Sequence, residues 1–209
     1  MPPVFLLAVG RKRIMVARKE GTVLSKVDIM ADTLHRWQTL WESTPKAAWT
    51  RTLIPDLSKW WHHGPRQITF HMAQILTGHG CFQQYLWSRN RAHSPACLLC
   101  PAEADDAEHT LFICMFWSGE RRELEQSLGR TLRPEDVSSI LCGPALADLP
   151  DDPHTKRRII LAANRRKQLF AQMVKDIMGR KEELERERQH NKINAILWGI
   201  GLWQLVAEL

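Results

Sequence analysis

The sequence CLLCPAEADDAEHTLFIC, residues 97–114, decides how the centre of this chain folds. Its cysteines and histidine follow the pattern C-x2-C-x8-H-x4-C, formed by Cys97, Cys100, His109 and Cys114. Two cysteines separated by two residues can bind one ion from a single turn, and three cysteines with one histidine are a common structural zinc set. Residues 101–108 contain almost no core-forming side chain, so a bound ion rather than apolar burial would order them. The pattern therefore predicts a zinc knuckle, with Zn²⁺ as the cofactor and these four residues as its ligands.

The alternative interpretation is that these cysteines are buried thiols and that the histidine is a core residue. Cys81 and Cys142 fit that role better, because neither lies at a ligand spacing, and His93 is the nearest substitute ligand. Four protein ligands leave no position for a catalytic water, so the site is expected to be structural. A metal-bound histidine usually also bonds through its second ring nitrogen. The candidate partners of that nitrogen in His109 are Asp105, Asp106 and Glu108.

Upstream of the knuckle, the apolar spacing predicts helices. A helix over residues 28–43 is indicated by apolar side chains that recur on one helical face. These side chains are Met30, Leu34, Trp37 and Trp41. Residues 1–27 show no clean period, and the proline-rich residues 45–66 are interpreted as an irregular segment that packs through its tryptophans. A second helical region over 67–91 is expected to be broken in two by the glycines that follow Thr77.

Downstream of the knuckle, helices are predicted over residues 115–128 and 134–141. Asp152, directly before a proline, is interpreted as the N-cap of a long helix. Charges alternate in sign over 181–188, which is typical of an exposed helix with internal salt bridges. The apolar tail, 193–209, is at the lower edge of membrane-spanning length and carries polar residues, so a packed or partner-seeking helix is expected.

The predicted fold class is therefore mainly α, a helical region with a small embedded Cys3His zinc knuckle. The predicted domains are a helical region over 1–91, the knuckle over 92–117 and a basic helical region over 118–209. Nine tryptophans against one tyrosine predict a tryptophan-rich core. The odd number of cysteines, five, argues against a secreted disulfide framework, so an intracellular, reducing compartment and no membrane association are expected.

The charge of the chain favours polyanionic partners without naming one. The formal net charge is +6. Three thiolates and a neutral imidazole on Zn²⁺ sum to about −1, so the metal centre itself would not attract phosphate. That attraction is expected from cations beside the knuckle, which are Arg89, Arg91, Arg121 and Arg122. Trp117 is predicted to be exposed and able to stack on unpaired bases.

A second basic group lies near the C-terminus, on a predicted helix whose other side is apolar. It comprises Lys156, Arg157, Arg158, Arg165, Arg166 and Lys167. Such a row could follow a nucleic-acid backbone, with binding that weakens steeply as salt rises. The alternative is an ordinary solvated helix face, and the sequence leaves both open.

No catalytic motif is evident in the sequence. It contains no GxxxxGK[ST], GxSxG or HExxH motif and no paired carboxylates in the context of a polymerase palm. Asp151 and Asp152 follow a proline as in some magnesium nucleases, but the helix-cap interpretation explains them better. The chain is therefore not expected to be an enzyme.

Several motifs in series resemble the C-terminal region of insect non-LTR retrotransposon polyproteins, of the type-1 clade inserted in ribosomal DNA. The motifs are Trp37-Gln38-x-x-Trp41, Leu53-Ile54-Pro55-Asp56-Leu57 with Trp60, Leu76-Thr77-Gly78-His79-Gly80-Cys81-Phe82, Tyr85-Leu86, the four proposed ligands with Thr110-Leu111-Phe112, and Lys181-Glu182. The likeness covers about residues 1–190.

In that family an endonuclease and a reverse transcriptase precede this cysteine-histidine region. The resemblance implies a nucleic-acid-binding fragment of a reverse transcriptase polyprotein, with an accessory role in target-primed reverse transcription in the nucleus. It implies RNA or DNA contact by the knuckle through Cys97, Cys100, His109 and Cys114, and it places the catalytic centres upstream of residue 1. The competing hypothesis is a zinc-stabilised protein-interaction module with no nucleic-acid role.

Overall fold

The computed structural model describes residues 2–207, with side chains for residues 2–191, and within that range it is mainly α with no strand. The predicted fold class is confirmed. The apolar tail predicted over 193–209 lies outside the residues whose side chains are described. None of the described helices has the length and apolar content needed to cross a bilayer.

Nine α-helices follow one another in the described part of the chain. They are α1 Val4–Lys19, α2 Lys26–Ser43, α3 Ala48–Leu53, α4 Leu57–His63, α5 Phe70–Thr77, α6 Gln83–Ser88, α7 Ser118–Leu128, α8 Asp136–Cys142 and α9 Pro153–Ala207. A π-helical turn, His109–Ile113, and two 3-10 turns, Met115–Trp117 and Leu146–Asp148, connect them.

The chain forms two compact units, each built from two stretches of sequence. The first comprises Met1–Ile68 and Ser127–Gln168, and the second comprises Thr69–Gln126 and Leu169–Leu209. Residues 92–117, the predicted knuckle, lie wholly within the second unit. These units do not coincide with the three consecutive segments expected from the sequence.

In the first unit, α2 packs on α1 and α4, while α3 and α4 pack on α8. The buried residues are mostly aliphatic, including Leu34, Leu53, Leu57, Val137 and Leu141. The expectation that the core is tryptophan-rich is wrong, because Trp117 is the one described tryptophan that is fully buried. Branched aliphatic side chains fill the spaces between these short helices instead.

Two segments that were not expected to be helical are helices in the structure. The first is α1, whose apolar residues include the exposed Val4, Phe5 and Met15, so no buried stripe marks it in the sequence. The second is 45–66, which holds α3 and α4 rather than irregular backbone. Asp56 starts α4, because its carboxylate accepts the Lys59 backbone N–H at 2.8 Å.

Other boundaries agree with the sequence. Gly78 ends α5 at φ 71°, a conformation that favours glycine, and separates α5 from α6 as predicted. Asp152 caps α9, since its carboxylate accepts the Thr155 backbone N–H at 2.7 Å. In the second unit α9 contributes a buried stripe to the core: Phe170, Met173, Val174, Ile177 and Met178.

Candidate metal centre and its surroundings

The structure brings the four predicted ligands together. One ligand atom from each of Cys97, Cys100, His109 and Cys114 lies within 4.8 Å of the others. The Cys100 Sγ is 3.3 Å from the His109 Nε2 and 3.8 Å from the Cys114 Sγ. Three sulfurs and one imidazole nitrogen that converge in this way could hold a metal ion.

Two local turns position these atoms. In the first, the Cys97 N–H donates to the Ala102 carbonyl at 3.0 Å, and the Leu99 N–H donates to the Cys97 Sγ at 3.4 Å. In the second, the Cys114 N–H donates to the His109 carbonyl at 2.7 Å, which closes a π-helical turn. This wider turn lets a histidine and a cysteine five positions apart face the same point, a use of π-turns common at functional sites.

The thiols have different electrostatic environments. Burial raises the pKa of Cys114 to about 12, and burial also raises the pKa of Cys97. The pKa of Cys100 is lowered, mainly by a hydrogen bond from the Ala102 backbone N–H. A buried thiol of this kind stays protonated at neutral pH unless a cation is bound, because desolvation disfavours the thiolate.

The acidic residues beside the cluster serve the backbone and a buried cation. Asp106 accepts the backbone N–H of His109 at 2.7 Å, rather than bonding to its ring. Asp105 is 2% exposed and binds elsewhere, and Glu108 is exposed. His93, the substitute ligand, is exposed and lies outside the four-residue group.

A buried ion pair next to the cluster was missed by sequence reasoning. The Lys181 Nζ donates to the two carboxylate oxygens of Asp105 at 2.9 and 2.7 Å. The same carboxylate accepts the Gln83 N–H at 3.0 Å and the Thr110 hydroxyl at 2.7 Å. Asp105 and Lys181 are 76 positions apart, so no local pattern in the sequence indicates that they meet.

Residues 181–188 are helical and contain an internal salt bridge between Arg188 and Glu185, as predicted, but the expectation that this stretch is exposed is wrong. Lys181 and Glu185 are 6% and 7% exposed. Glu185 accepts hydrogen bonds from Arg188 at 2.8 Å and from Gln83 at 3.4 Å. One face of this part of α9 is buried through paired charges, and the alternation of signs alone cannot distinguish such a face from a solvated one.

Two of the predicted nucleic-acid contacts are buried, and these two expectations are wrong. Trp117 is 1% exposed and packs edge-to-face with Phe116, whose ring centroid is 4.7 Å away. Arg121 is 4% exposed, and its guanidinium donates to the carbonyls of Cys114 at 2.8 Å and Leu111 at 3.5 Å. Burial lowers the pKa of Arg121. Arg121 therefore stabilises the second turn of the cluster, and Trp117 is part of the core instead of facing solvent.

The other predicted cations near the cluster lie at the surface of the second unit. Arg91 and Arg122 are exposed, and Arg89 is exposed with its guanidinium 5.3 Å from the centre of the Tyr85 ring.

The cations of α9 in the first unit differ in exposure. Arg157, Arg158 and Arg165 are exposed, whereas Lys156 and Lys167 are half-buried. Arg166 is also half-buried, and it donates to the Ser127 carbonyl at 2.8 Å. Arg157 and Arg158 can meet a ligand from their exposed positions, whereas Arg166 would first have to leave Ser127.

Comparison with known proteins finds relatives of one kind. The chain is 28% identical over 153 residues to the Retrovirus-related Pol polyprotein from type-1 retrotransposable element R1 3 of Nasonia vitripennis. The matched stretch covers 62% of this chain and 39% of that protein. It is 34% identical over 130 residues to the corresponding R1 4 polyprotein of the same organism, over 59% of this chain and 32% of the relative. An R1 Pol polyprotein of Bradysia coprophila is 28% identical over 98 residues, which is 44% of this chain and 9% of that protein.

No protein-family model and no solved structure matches the chain. The matches to the R1 polyproteins span between 9% and 39% of those proteins' length. The predicted resemblance is nevertheless confirmed, since the chain is similar to a region of the Pol polyproteins of R1-type non-LTR retrotransposons.

Proposed function

We propose that this chain is a nucleic-acid-binding, zinc-stabilised region of a non-LTR retrotransposon polyprotein, with an accessory role in target-primed reverse transcription in the nucleus. The observation that supports this most is the four-ligand cluster, formed in a chain similar to R1 Pol polyproteins. The role of the region would be to hold RNA or DNA strands for a catalytic centre elsewhere in the polyprotein.

The donor set and its spacing support zinc as the metal. A tetrahedral zinc site with Zn–S bonds near 2.3 Å separates two sulfurs by about 3.8 Å, and a sulfur from an imidazole nitrogen by about 3.5 Å. The distances here are 3.8 Å between the sulfurs of Cys100 and Cys114, and 3.3 Å between Cys100 and the His109 nitrogen. Zinc bound by these four side chains would order residues 97–114 and supply no catalytic water.

The charge of such a centre assigns phosphate binding to other residues. Three thiolates on Zn²⁺ leave the centre at about −1. Arg121, buried against the Cys114 carbonyl, would balance part of that charge inside the protein. The exposed Arg89, Arg91 and Arg122 in the second unit, and the exposed arginines of α9 in the first, remain as cations for a phosphate backbone.

We also propose that this chain carries out no polymerase or nuclease reaction by itself. The support is the sequence, which lacks the carboxylate arrangement of a polymerase palm and the usual hydrolase motifs. Incubation of the full chain with Mg²⁺, nucleotides and a primed template should give no extension or cleavage above buffer. Turnover that is lost when Asp151 and Asp152 are both changed to Asn would contradict this part of the proposal.

A second candidate function is a protein-interaction module shaped by zinc. It is favoured by one observation, the exposed apolar side chains on either side of Cys114: Ile113, Met115 and Phe116 are 58%, 75% and 50% exposed. Under this alternative the zinc-loaded chain would bind no nucleic acid even at low salt.

The test is binding of the zinc-loaded full chain to fluorescein-labelled single-stranded RNA and DNA, measured by anisotropy over a range of salt concentrations. We expect the logarithm of the binding constant to fall linearly with the logarithm of salt, because phosphate contacts release counterions. The variant Arg157→Gln/Arg158→Gln should bind more weakly and with a shallower slope. No binding at low salt would overturn the proposal and favour the second candidate.

A matched control separates a binding surface from net charge. Arg11→Gln/Lys12→Gln on α1 removes the same charge from two exposed residues. We expect this control to weaken binding less than the α9 variant does. Equal losses in the two variants would contradict a role for the α9 arginines.

A further inference from the structure

A cavity of about 240 Å³ lies beside the metal cluster in the second unit. Its apolar lining includes the two leucines of the first turn of the cluster, Leu98 and Leu99, and Leu184 of α9. Its polar lining comprises the buried ion pair described above and the side chains of Gln83, Glu185 and Arg188. Apolar walls with a few fixed polar groups are typical of a ligand site, and this volume suits a small ligand.

The charges around this cavity are paired with one another. Lys181 binds Asp105, and Arg188 binds Glu185, so the lining carries no net charge. A free phosphate or carboxylate would gain little there, because each cation already holds a carboxylate. A neutral, flat group with an apolar face and hydrogen-bonding edges fits such a lining better.

An exposed cation follows the helix that carries Gln83 of the cavity lining. Arg91 is exposed and follows α6, whose Leu86 carbonyl accepts the Arg91 N–H at 2.8 Å. Cys81 lines the cavity, where burial raises the pKa of its thiol and the nearby charge of Arg91 opposes that rise. Arg91 is therefore the candidate cation for the phosphate of a strand whose base enters the cavity.

We propose that this cavity, walled by Leu98, Leu99 and Leu184, receives one unpaired base of a single-stranded nucleic acid. The inference rests on the proposed nucleic-acid function and deepens it. The leucine walls would cover the faces of the base, and the carboxylate of Glu185 or the guanidinium of Arg188 would meet its edge. The metal cluster contributes by fixing the turn that carries Leu98 and Leu99.

The first experiment compares a single-stranded oligonucleotide with an abasic oligonucleotide of the same length and charge, using the zinc-loaded full chain. We expect the strand with bases to bind about fivefold tighter or more. The variant Leu98→Asp should lose that preference while keeping the salt dependence. Leu98 is 61% exposed, so the substitution can be made without opening the core.

The matched control is Ile113→Asp. Ile113 is 58% exposed, lies in the same knuckle directly before a ligand and does not line the cavity. Both variants add the same negative charge, so a general electrostatic loss affects them equally. Zinc content is measured in both. Retention of the preference in Leu98→Asp, or its equal loss in both variants, would overturn the pocket.

A second measurement locates the base directly. Cys81 lines the cavity, so bound single strands should slow its alkylation by iodoacetamide at least about fivefold, whereas abasic strands should not. Equal protection by the two strands would contradict the inference. RNA and DNA strands of one sequence are compared in parallel. The strand that protects Cys81 more strongly from alkylation is the preferred ligand of the cavity.

The outcomes of these experiments distinguish the base-binding cavity from the proposed nucleic-acid-binding function. Salt-dependent binding that is equal for base-containing and abasic strands would overturn the pocket and leave the nucleic-acid function standing. The absence of binding to either strand would overturn the function and the pocket with it.

Discussion

At the scale of single residues, Arg121 and Arg122 are neighbours on α7 with different surroundings. Arg121 is 4% exposed and donates to two carbonyls of the π-turn region, whereas Arg122 is exposed. The sequence predicts the same role for both, since both are cations beside the knuckle. What separates them is the face of α7 that packs inward, on which the cation Arg121 is buried together with Leu124.

The first prediction concerns this pair. Arg121→Met should lower the free energy of unfolding by about 1–3 kcal/mol, because it removes the buried guanidinium hydrogen bonds to the Leu111 and Cys114 carbonyls, of which the Cys114 carbonyl keeps the Trp117 N–H. Arg122→Met should change stability by no more than about 0.5 kcal/mol and weaken nucleic-acid binding instead. Urea denaturation and anisotropy measure the two effects. A stability loss in Arg122→Met as large as that in Arg121→Met would contradict the assignment.

The second prediction concerns the buried ion pair. Lys181→Met should destabilise the chain by about 3–5 kcal/mol, because it leaves Asp105 buried without its cation. The double variant Asp105→Asn/Lys181→Met should recover part of that loss, since no uncompensated charge remains. Lys175→Met, an exposed change on the same helix, is the control. Additive losses at Asp105 and Lys181 in a double-mutant cycle would show that the two residues do not act as a pair.

At the scale of elements, the entry to α8 depends on one carboxylate. Asp136 accepts the Arg133 backbone N–H at 2.9 Å and the Arg130 guanidinium at 2.7 Å. The Arg130 hydrogen bond holds the pKa of Asp136 below its ordinary value of 3.8. Because the folded state favours the ionised form, this contribution to stability is present above pH 3.8. It is lost as pH falls through the lower pKa that Asp136 has in the folded state.

The third prediction follows from the lowered pKa of Asp136 in the folded state. Asp136→Asn should lower the unfolding free energy by about 1–3 kcal/mol near neutral pH, and by much less near about pH 2. Denaturation of both proteins at the two pH values measures the difference. Asp148→Asn, at an exposed position in the same unit, should have little effect at either pH. A loss in Asp136→Asn that is the same at both pH values would contradict the ionic contribution.

Elements were predictable where one buried face or a local cap defines them. The spacing of Leu34 with its neighbours indicates α2, Gly78 indicates the break after α5, and Asp152 indicates the start of α9. Helix α1 was missed because much of its apolar surface is exposed, so its sequence has no clean stripe. The segment 45–66 was misinterpreted because its prolines separate short helices instead of preventing them.

At the scale of the whole molecule, the sequence predicts the metal ligands better than their surroundings. Cysteine and histidine spacing is a local property, and the four ligands come from one stretch of 18 residues, Cys97 to Cys114. Each of the two units is built from two separate stretches of sequence, and Asp105 pairs with Lys181, which is 76 positions away. Periodicity and charge counts contain no information on such pairings, which is why the buried charged face of α9 was expected to be exposed.

The central claim is that Cys97, Cys100, His109 and Cys114 bind a structural zinc ion, and metal analysis of the purified chain tests it most directly. We expect about one zinc ion per chain by mass spectrometry. Cys100→Ser and His109→Ala should abolish tight binding, and the removal of zinc should make residues 94–114 sensitive to protease. Cys81→Ser, outside the cluster, should leave the zinc content unchanged. Full zinc retention in both ligand variants, or a wild-type chain purified and reconstituted without stoichiometric zinc, would contradict the account.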